Sequence, residues 1–548
     1  MFPVVLLFTY LTAFAQINLP YDPVRSNFEL HIEPFVTLSS STGTRINKLA
    51  HAGDGSGRKF INVQEGRIVI VDQNDNLLST PFLDLNTALS QFTVGVGPFR
   101  GLTYFAFHPD FARSDRPGYR KLYTAHQETP NGTPDYDIED VSGHYGGAVA
   151  THRVIAEWEV DPNNPNQVLT SSYREVLRLR FDDPIGNPHA IGEIAFNPFA
   201  TAGDGDYGLL YVAVGDGGDG NAVPDASWAQ DISNPFGKIL RINPLQDGSN
   251  SYVVPSSNPF TSTVGAAAEI YAFGFRDPQN FSWGEGADGR VWMINSDIGQ
   301  KDLEELNIVV AGGNYGWDAW EGTLKQHDTP VNTAGPLIPP VAQYDRSMPS
   351  NQINAPDPSY DKFAIVGGFV HTGVGNWQLD GQFIFTDLAQ GRFFHVPLDG
   401  LVSAFENGNQ ATIQELLVFS GGNEILFSHL VDDVKLRGDV RFGIDESGEI
   451  YISSKQNRTV YRIILPPGLP QLLGDVTCDS QVNTADAMAI LQFAAGSRSG
   501  ESSCPATASG MIDAACDLSM DSSCDLSDAL LILQCNVALS NGACPGAP

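Results

Sequence analysis

Short runs of alternating apolar and polar residues, separated by turn-forming residues, fill most of this chain. β-Branched and aromatic residues at every second position predict strands, and Gly, Pro, Asn and Asp predict turns. The segment RKFINVQEGRIVIVD, residues 58–72, has this pattern on both sides of Glu65 and Gly66 and predicts a hairpin. Further strand phrases of the same kind begin near residues 105, 194, 281 and 442.

Repeated antiparallel meanders predict an all-β body, and a β-propeller is the architecture that such repetition favours. The spacing between phrases is irregular, so the fold requires inserted loops. A β-sandwich is the structural alternative, but several hundred residues of meander are too many for one sandwich. Propellers bind ligands where inner strands and loops converge, so loops there are candidate walls of a site.

Composition and charge narrow the class of protein. The chain has 548 residues with 55 glycines and 35 prolines, which favours many turns and little long helix. It carries 31 basic and 64 acidic residues, a net charge of −33, and therefore repels phosphate backbones and anionic lipid. We expect no nucleic-acid partner and, from the absence of a long apolar run after the N-terminus, no membrane span.

The two ends of the chain differ from its body. Residues 1–15 form a short apolar run that ends in a small-x-small pattern, which predicts a secretory signal and an extracellular, periplasmic or cell-surface protein. Residues 16–464 contain the predicted propeller, and residues 465–474 are a Pro-rich linker. All six cysteines lie in residues 475–548, which marks a domain boundary and favours disulfides after export.

Two twelve-residue segments near the C-terminus, residues 475–486 and 517–528, have the side-chain spacing of calcium loops. A run with helical apolar spacing follows each of them, at residues 487–495 and 529–538. The alternative is a pair of acidic surface turns before helices. The candidate ligands are Asp475, Thr477, Asp479, Gln481, Asn483 and Asp486 in the first loop, and Asp517, Ser519, Asp521, Ser523, Asp525 and Asp528 in the second.

This duplicated pattern resembles dockerin modules, which are small α-helical, EF-hand-like domains that dock onto cohesins. The resemblance implies bound Ca²⁺ and a cohesin-like partner. Ser480 and Ser522 replace the usual turn glycine, and Asp486 and Asp528 stand where a dockerin also carries aspartate rather than the bidentate glutamate of other EF-hands.

His189 stands out in the body because it lies where a loop enters a predicted strand, in NPHAIGEIAF. A rigid strand fixes such a position, and an imidazole titrates near neutral pH, so His189 is a candidate catalytic base. The alternative is a histidine that only hydrogen-bonds its own loop. A glycine-aspartate loop, residues 215–218, follows the next strand.

Three more motifs accompany His189, and together they resemble the glucose/sorbosone dehydrogenase family from about residue 47 to residue 464. They are FRGLTYFAFHPDF at residues 99–111, YAFGFRDPQN at 271–280 and IGQKDLEELNIVVAGGNYGW at 298–317. The resemblance implies a six-bladed β-propeller. It also implies oxidation of the C1 hydroxyl of an aldose sugar to a lactone with pyrroloquinoline quinone (PQQ) and Ca²⁺, and transfer of electrons to an unidentified acceptor.

The resemblance also implies roles for particular residues. His189 matches the base that removes the proton from the sugar hydroxyl, and Arg276 matches the arginine beside the quinone carbonyls. Further matches are the calcium-binding carbonyls of Gly299 and Gln300, a second calcium site at Glu305 and Tyr315, and Arg392 as a partner for a cofactor carboxylate.

Three positions depart from the sugar-oxidising members of the family. Phe99 replaces a glutamine, Pro188 replaces an acid beside the base, and Asp277 replaces an asparagine. Arg276 as a salt bridge between blades and Glu305 as a solvated turn acid are the structural alternatives. A non-catalytic propeller that binds carbohydrate or protein is the alternative function.

Overall fold

Strands form most of the described chain. The computed structural model describes residues 23–94, 100–137, 149–183, 189–218, 228–346, 363–373, 375–432, 437–467, 487–491 and 529. The predicted signal (1–15), both calcium loops and all six cysteines lie outside the described residues. Residues 487–491, inside the first predicted C-terminal helix, are helical.

The first part of the chain contributes a long strand and two antiparallel sheets. Strand β1 covers Val24–Thr37. The first sheet contains β2 (Ile46–Ala50), β3 (Lys59–Val63), β4 (Arg67–Val71) and β5 (Leu83–Asp84), and the short helix α1 (Leu85–Ala88) follows it. The second contains β6 (Leu102–Phe107), β7 (Lys121–Glu128), β8 (Tyr136–Asp137), β9 (Val149–Val160) and β10 (Val168–Asp183).

The middle of the chain forms two further sheets of four strands. The third sheet contains β11 (Ile191–Phe196), β12 (Leu210–Val214), β13 (Lys238–Ile242) and β14 (Ile270–Phe273). The fourth contains β15 (Asn280–Glu285), β16 (Val291–Asp297), β17 (Leu303–Val309) and β20 (Ala342–Asp345), with the hairpin β18 (Trp320–Glu321) and β19 (Leu324–Lys325) inserted before β20.

The last part of the chain returns to the first. It contains β21 (Ile365–Val370), a 3-10 turn (Trp377–Leu379), β22 (Gln382–Asp387), β23 (Arg392–Pro397), α2 (Leu398–Asn407), β24 (Gln414–Ser420), β25 (Asn423–Ile425), α3 (Phe427–Val431), β26 (Val440–Ile444), β27 (Ile450–Ser454) and β28 (Thr459–Ile464). Strand β1 pairs antiparallel with β28 and parallel with β24, so the N-terminal strand completes the C-terminal sheets.

Buried apolar clusters join each group of strands to the next one around the molecule. Phe60 of β3 and Phe105 of β6 belong to one such cluster, and Tyr211 of β12 and Trp283 of β15 belong to another. The cluster with Leu49 of β2 also contains residues of β1, β27 and β28, so the last group packs on the first. Full burial of each large apolar side chain stabilises the fold by about 1.5–3 kcal/mol. The sheets therefore follow one another in a closed sequence of apolar interfaces.

The pattern-based predictions hold for the individual strands. The predicted hairpin at residues 58–72 is β3 and β4, and Gly66 closes its turn with φ 98°. The phrases that begin near residues 105, 194, 281 and 442 start in β6, β11, β15 and β26. The all-β class is confirmed for the body of the chain.

Candidate functional site

His189 and the glycine-aspartate loop meet at one end of the third sheet. His189 lies two residues before β11, and residues 215–218 follow β12, whose last residue pairs with the first residue of β11. The Gly217 amide donates to the His189 carbonyl at 3.1 Å. A Cβ at position 215 would lie 2.5 Å from the His189 Cβ, so this close approach requires glycine.

Asp216 holds the His189 ring. Its Oδ1 lies 2.7 Å from His189 Nδ1, and both side chains are buried. An ionised carboxylate only accepts, so Nδ1 carries the proton and Nε2 of the neutral ring keeps its lone pair. The Gly218 amide also donates to Oδ1 at 3.0 Å, and Trp317 Nε1 donates to Oδ2 at 2.9 Å.

Asp216 is ionised despite its burial. Burial acts to raise the pKa of this carboxyl, but His189, its hydrogen bond and Arg276 together outweigh that effect and hold the pKa below its ordinary value. The charge favours one ring orientation and stabilises an imidazolium if Nε2 takes a proton. His189 therefore has the geometry of a general base.

Arg276 lies beside this pair. Its carbonyl accepts from the Asp216 amide at 2.8 Å, and its guanidinium lies over the Trp317 ring at 5.6 Å. Nη1 donates to the carbonyls of Ile298 and Gly299 at 3.0 and 2.8 Å. The structure therefore brings His189 and Arg276 together through Asp216, and Arg276 forms no carboxylate ion pair with the described residues.

Asp277 lies on the other side of the imidazole. Its Oδ2 is 3.9 Å from His189 Nε2, and its side chain is buried. Burial raises the pKa of Asp277, while His189 and Arg276 act in the opposite direction. Phe99 and Pro188, the other two departures from the family pattern, lie outside the described residues.

The Gly299 carbonyl does not fit the calcium role that the resemblance implied. It accepts from Arg346 Nη1 at 2.6 Å as well as from Arg276, so two guanidinium groups already converge on this oxygen. A calcium ion there would meet two positive charges. The neighbouring Gln300 has a buried Nε2 without a hydrogen-bond partner in the described chain.

Glu305 and Tyr315 are both bonded within the fourth sheet. Glu305 Oε1 accepts from the Gly322 amide, and burial followed by Asp297 raises its pKa well above the ordinary value. The Tyr315 hydroxyl donates to the Ile308 carbonyl at 2.8 Å. No group of three or more His, Cys, Asp or Glu side chains among the described residues is arranged to hold a metal ion. Calcium at Glu305 and Tyr315 stays a prediction.

Arg392 lies in a buried ion pair instead of facing an open site. Its Nε and Nη2 donate to the two carboxylate oxygens of Glu415 at 2.8 and 2.9 Å, and neither side chain is exposed. This bidentate contact joins β23 to β24. A cofactor carboxylate would have to compete with a protein carboxylate that is already in place.

Two other cations fit a ligand with carboxylates better. Arg441 of β26 is 3% exposed, and its Nη1 donates to the Val440 carbonyl at 2.7 Å. Lys455 is its neighbour, and within the described chain neither side chain forms a salt bridge. Burial, followed by Arg441, lowers the pKa of Lys455 well below its ordinary value. Arg441 also acts on the Asp277 carboxyl, so this pair lies near His189.

Sequence reasoning missed Asp216, Trp317, Arg441 and Lys455 as members of this site. Asp216 and Trp317 stand inside motifs that the sequence singled out, DGGDG and GNYGW, but no pattern shows that they contact each other across 101 residues. Arg441 and Lys455 carry no motif. Their signal is the lack of a carboxylate partner among the described residues, which appears only in the folded chain.

Comparison with known proteins assigns the chain. The model of the family described as Glucose / Sorbosone dehydrogenase matches residues 47–393, which is more than half of the chain. The chain belongs to the glucose/sorbosone dehydrogenase family. Residues 16–46 and the segment after residue 393 lie outside that match, although β1 and β26 to β28 pack with the matched strands.

Curated relatives within this family differ in what their names describe. HIPL1 protein of Arabidopsis thaliana is 25% identical over 482 residues, 81% of this chain and 64% of its own length. Hedgehog-interacting protein of Homo sapiens is 25% identical over 77% of this chain and 51% of its own length. Aldose sugar dehydrogenase YliI of Escherichia coli (strain K12) is 27% identical over 40% of this chain and 46% of its own length. The chain thus spans about one half to two thirds of the length of these relatives.

A solved structure supports the fold. Glucose dehydrogenase from Thermus thermophilus has a TM-score of 0.51 at 20% identity, and the match covers 79% of this chain and 100% of that one. At this identity the likeness shows the all-β, propeller-like fold of the family. In the described part of this chain, no helix has the length and apolar character needed to cross a membrane.

Proposed function

We propose that this protein is a PQQ-dependent dehydrogenase that oxidises the C1 hydroxyl of an aldose to a lactone and passes the electrons to a separate acceptor. The observation that carries the proposal is the His189–Asp216 pair, whose Nε2 is left to accept a proton beside Arg276. Membership of a dehydrogenase family supports the same chemistry.

The residues of the site divide the work between them. His189 Nε2 would accept the proton of the C1 hydroxyl, and Asp216 would stabilise the imidazolium. Arg276 would hold a fixed positive charge where negative charge develops. Arg441 and Lys455 would bind carboxylates of the cofactor. When bound, PQQ supplies an acceptor for the two electrons of the oxidation.

We propose further that the strand groups form the six blades of one propeller. The four-strand meanders and the packing of β1 on β28 support this arrangement. We also propose secretion, directed by residues 1–15, and a dockerin-like C-terminal module with calcium in loops 475–486 and 517–528 that docks onto a cohesin-like partner. The apolar leader and the duplicated ligand spacing support these points.

A second candidate function is a non-catalytic propeller that binds carbohydrate or protein. The extent of the relatives favours it, because Hedgehog-interacting protein aligns with 77% of this chain and the E. coli sugar dehydrogenase with 40%. The carboxylate of Asp277 in the site also favours it, since a negative charge there opposes the reduction of a quinone.

Sugar-dependent reduction of a redox dye distinguishes the two functions. The full-length protein is incubated with PQQ, with and without added Ca²⁺, and assayed with a panel of aldoses. We expect turnover that falls at least about 100-fold in His189→Ala, since a general base contributes about 10²–10⁴-fold. His429→Ala, an exposed histidine in α3, is the matched control. Turnover that survives His189→Ala, or no turnover with any aldose, contradicts the dehydrogenase proposal.

A further inference from the structure

Asp277 combines a fixed backbone with an open carboxylate. Its amide donates to Asp297 Oδ1 at 2.7 Å, and its carbonyl accepts from the Gln279 and Ile298 amides at 2.7 and 3.2 Å. The residue is only 3% exposed, yet no donor of the described residues reaches its carboxylate within hydrogen-bond distance. The main chain therefore positions an acceptor that the described part of the protein leaves unused.

The contrast with Asp216 shows that this open carboxylate is unusual. Both acids are buried and flank the same imidazole, but Asp216 accepts from His189, Gly218 and Trp317. The partners of Asp216 outweigh burial and lower its pKa, whereas the pKa of Asp277 is raised, with burial as the largest cause. A buried carboxylate without donors costs several kcal/mol of solvation free energy. A ligand that donates to Asp277 removes that cost.

The position of Asp277 indicates which part of a ligand it would contact. Its Oδ2 and His189 Nε2 are 3.9 Å apart, too far for a direct hydrogen bond. Two acceptors at this spacing can each accept, over about 2.7–2.9 Å, from one of two hydroxyl groups on neighbouring carbon atoms. One hydroxyl would face the imidazole and the other would face the carboxylate.

We propose that Asp277 is a specificity-determining residue that accepts a hydrogen bond from the hydroxyl next to the one that His189 contacts, so that the site takes a vicinal diol. This inference rests on the proposed function for the identity of the first hydroxyl, which is that on C1 of an aldose. The second is then the C2 hydroxyl. A site with a buried acceptor for a hydroxyl discriminates strongly against the analogue that lacks it, because the acceptor is left unpaired.

The test compares the affinity of the full-length protein, without cofactor, for glucose and for 2-deoxyglucose by titration calorimetry. The wild type should bind glucose at least about tenfold more tightly. Asp277→Ala should bring this ratio close to one, Asp277→Asn should reduce it, and Asp288→Asn, an exposed acid, should leave it unchanged. The ratio compares two ligands on the same variant, so a general loss of stability does not change it.

Two results overturn the inference. One is a wild type that binds both sugars equally or binds neither, and the other is a ratio that Asp277→Ala leaves intact. The dehydrogenase proposal is decided separately, because binding of glucose with the expected ratio but without PQQ-dependent oxidation leaves Asp277 in its role and removes the oxidation. Oxidation with no preference for the C2 hydroxyl has the reverse meaning.

Discussion

Replacement of Asp216 by asparagine tests the central hydrogen-bond network directly. The amide oxygen of Asp216→Asn can take the place of Oδ1 and still accept from His189 Nδ1 and Gly218. The amide nitrogen then faces Trp317 Nε1, which lies 2.9 Å from Oδ2 in the wild type, and donor meets donor. A buried donor without an acceptor costs about 1–3 kcal/mol, and the loss of charge from the other two bonds adds about 1 kcal/mol. Asp216→Asn should therefore lower the free energy of unfolding by about 2–4 kcal/mol.

The assay is urea unfolding of the full-length protein, followed by tryptophan fluorescence and circular dichroism at pH 7. Asp115→Asn is the control, because this side chain is 81% exposed and a change there should stay within about 0.5 kcal/mol. The lowered pKa of Asp216 sets the pH dependence. Its stabilising contribution is present above the ordinary aspartate pKa of about 3.9 and is lost as the pH falls through the folded-state value. A variant as stable as the control at pH 7 would refute this account of the network.

Three more changes test the interior of the protein. Lys48→Met should cost about 3–5 kcal/mol of stability, measured by urea unfolding, because it leaves the buried Glu193 carboxylate, now 2.6 Å from Nζ, without its cation; a double change that also replaces Glu193 by leucine should regain most of the loss. Glu415→Gln should cost a similar amount by breaking the buried pair with Arg392, and a loss below about 1 kcal/mol would contradict the pairing. Burial raises the pKa of Glu304 to about 8, so its stabilising contribution is lost as the pH rises through that value; Glu304→Gln should be more stable than the wild type at pH 9 and no more stable at pH 6 in thermal unfolding.

The sequence predicts the strands well because their causes are local. Glu65 and Gly66 interrupt an alternating pattern, and a turn forms there whatever the rest of the chain does. His189 is predicted to lie where a loop enters a strand for the same reason, and it does so two residues before β11. The motif resemblance adds Arg276, which the structure places beside the histidine.

Contacts between distant segments could not be predicted from the same patterns. Asp216 and Trp317 are 101 residues apart, and only the packing of the third and fourth sheets brings them together. Arg392 has the same residue type as a cofactor-binding arginine, but its position in β23 aims it at Glu415 of the adjacent strand. Gly299 lies in a motif that implied calcium, yet Arg346, which no motif includes, donates to its carbonyl.

Titration of the purified full-length protein with PQQ tests the central claim most directly. Loss of free cofactor is followed by its absorbance, and Arg441→Met and Lys455→Met are compared with the wild type. The account predicts saturable binding of one PQQ per chain, with an affinity at least about tenfold lower in each variant, since loss of a charge-assisted hydrogen bond costs about 1.5–3 kcal/mol. Absence of saturable binding, or equal affinity in the variants, would contradict a quinone site formed by His189, Arg276 and these two cations.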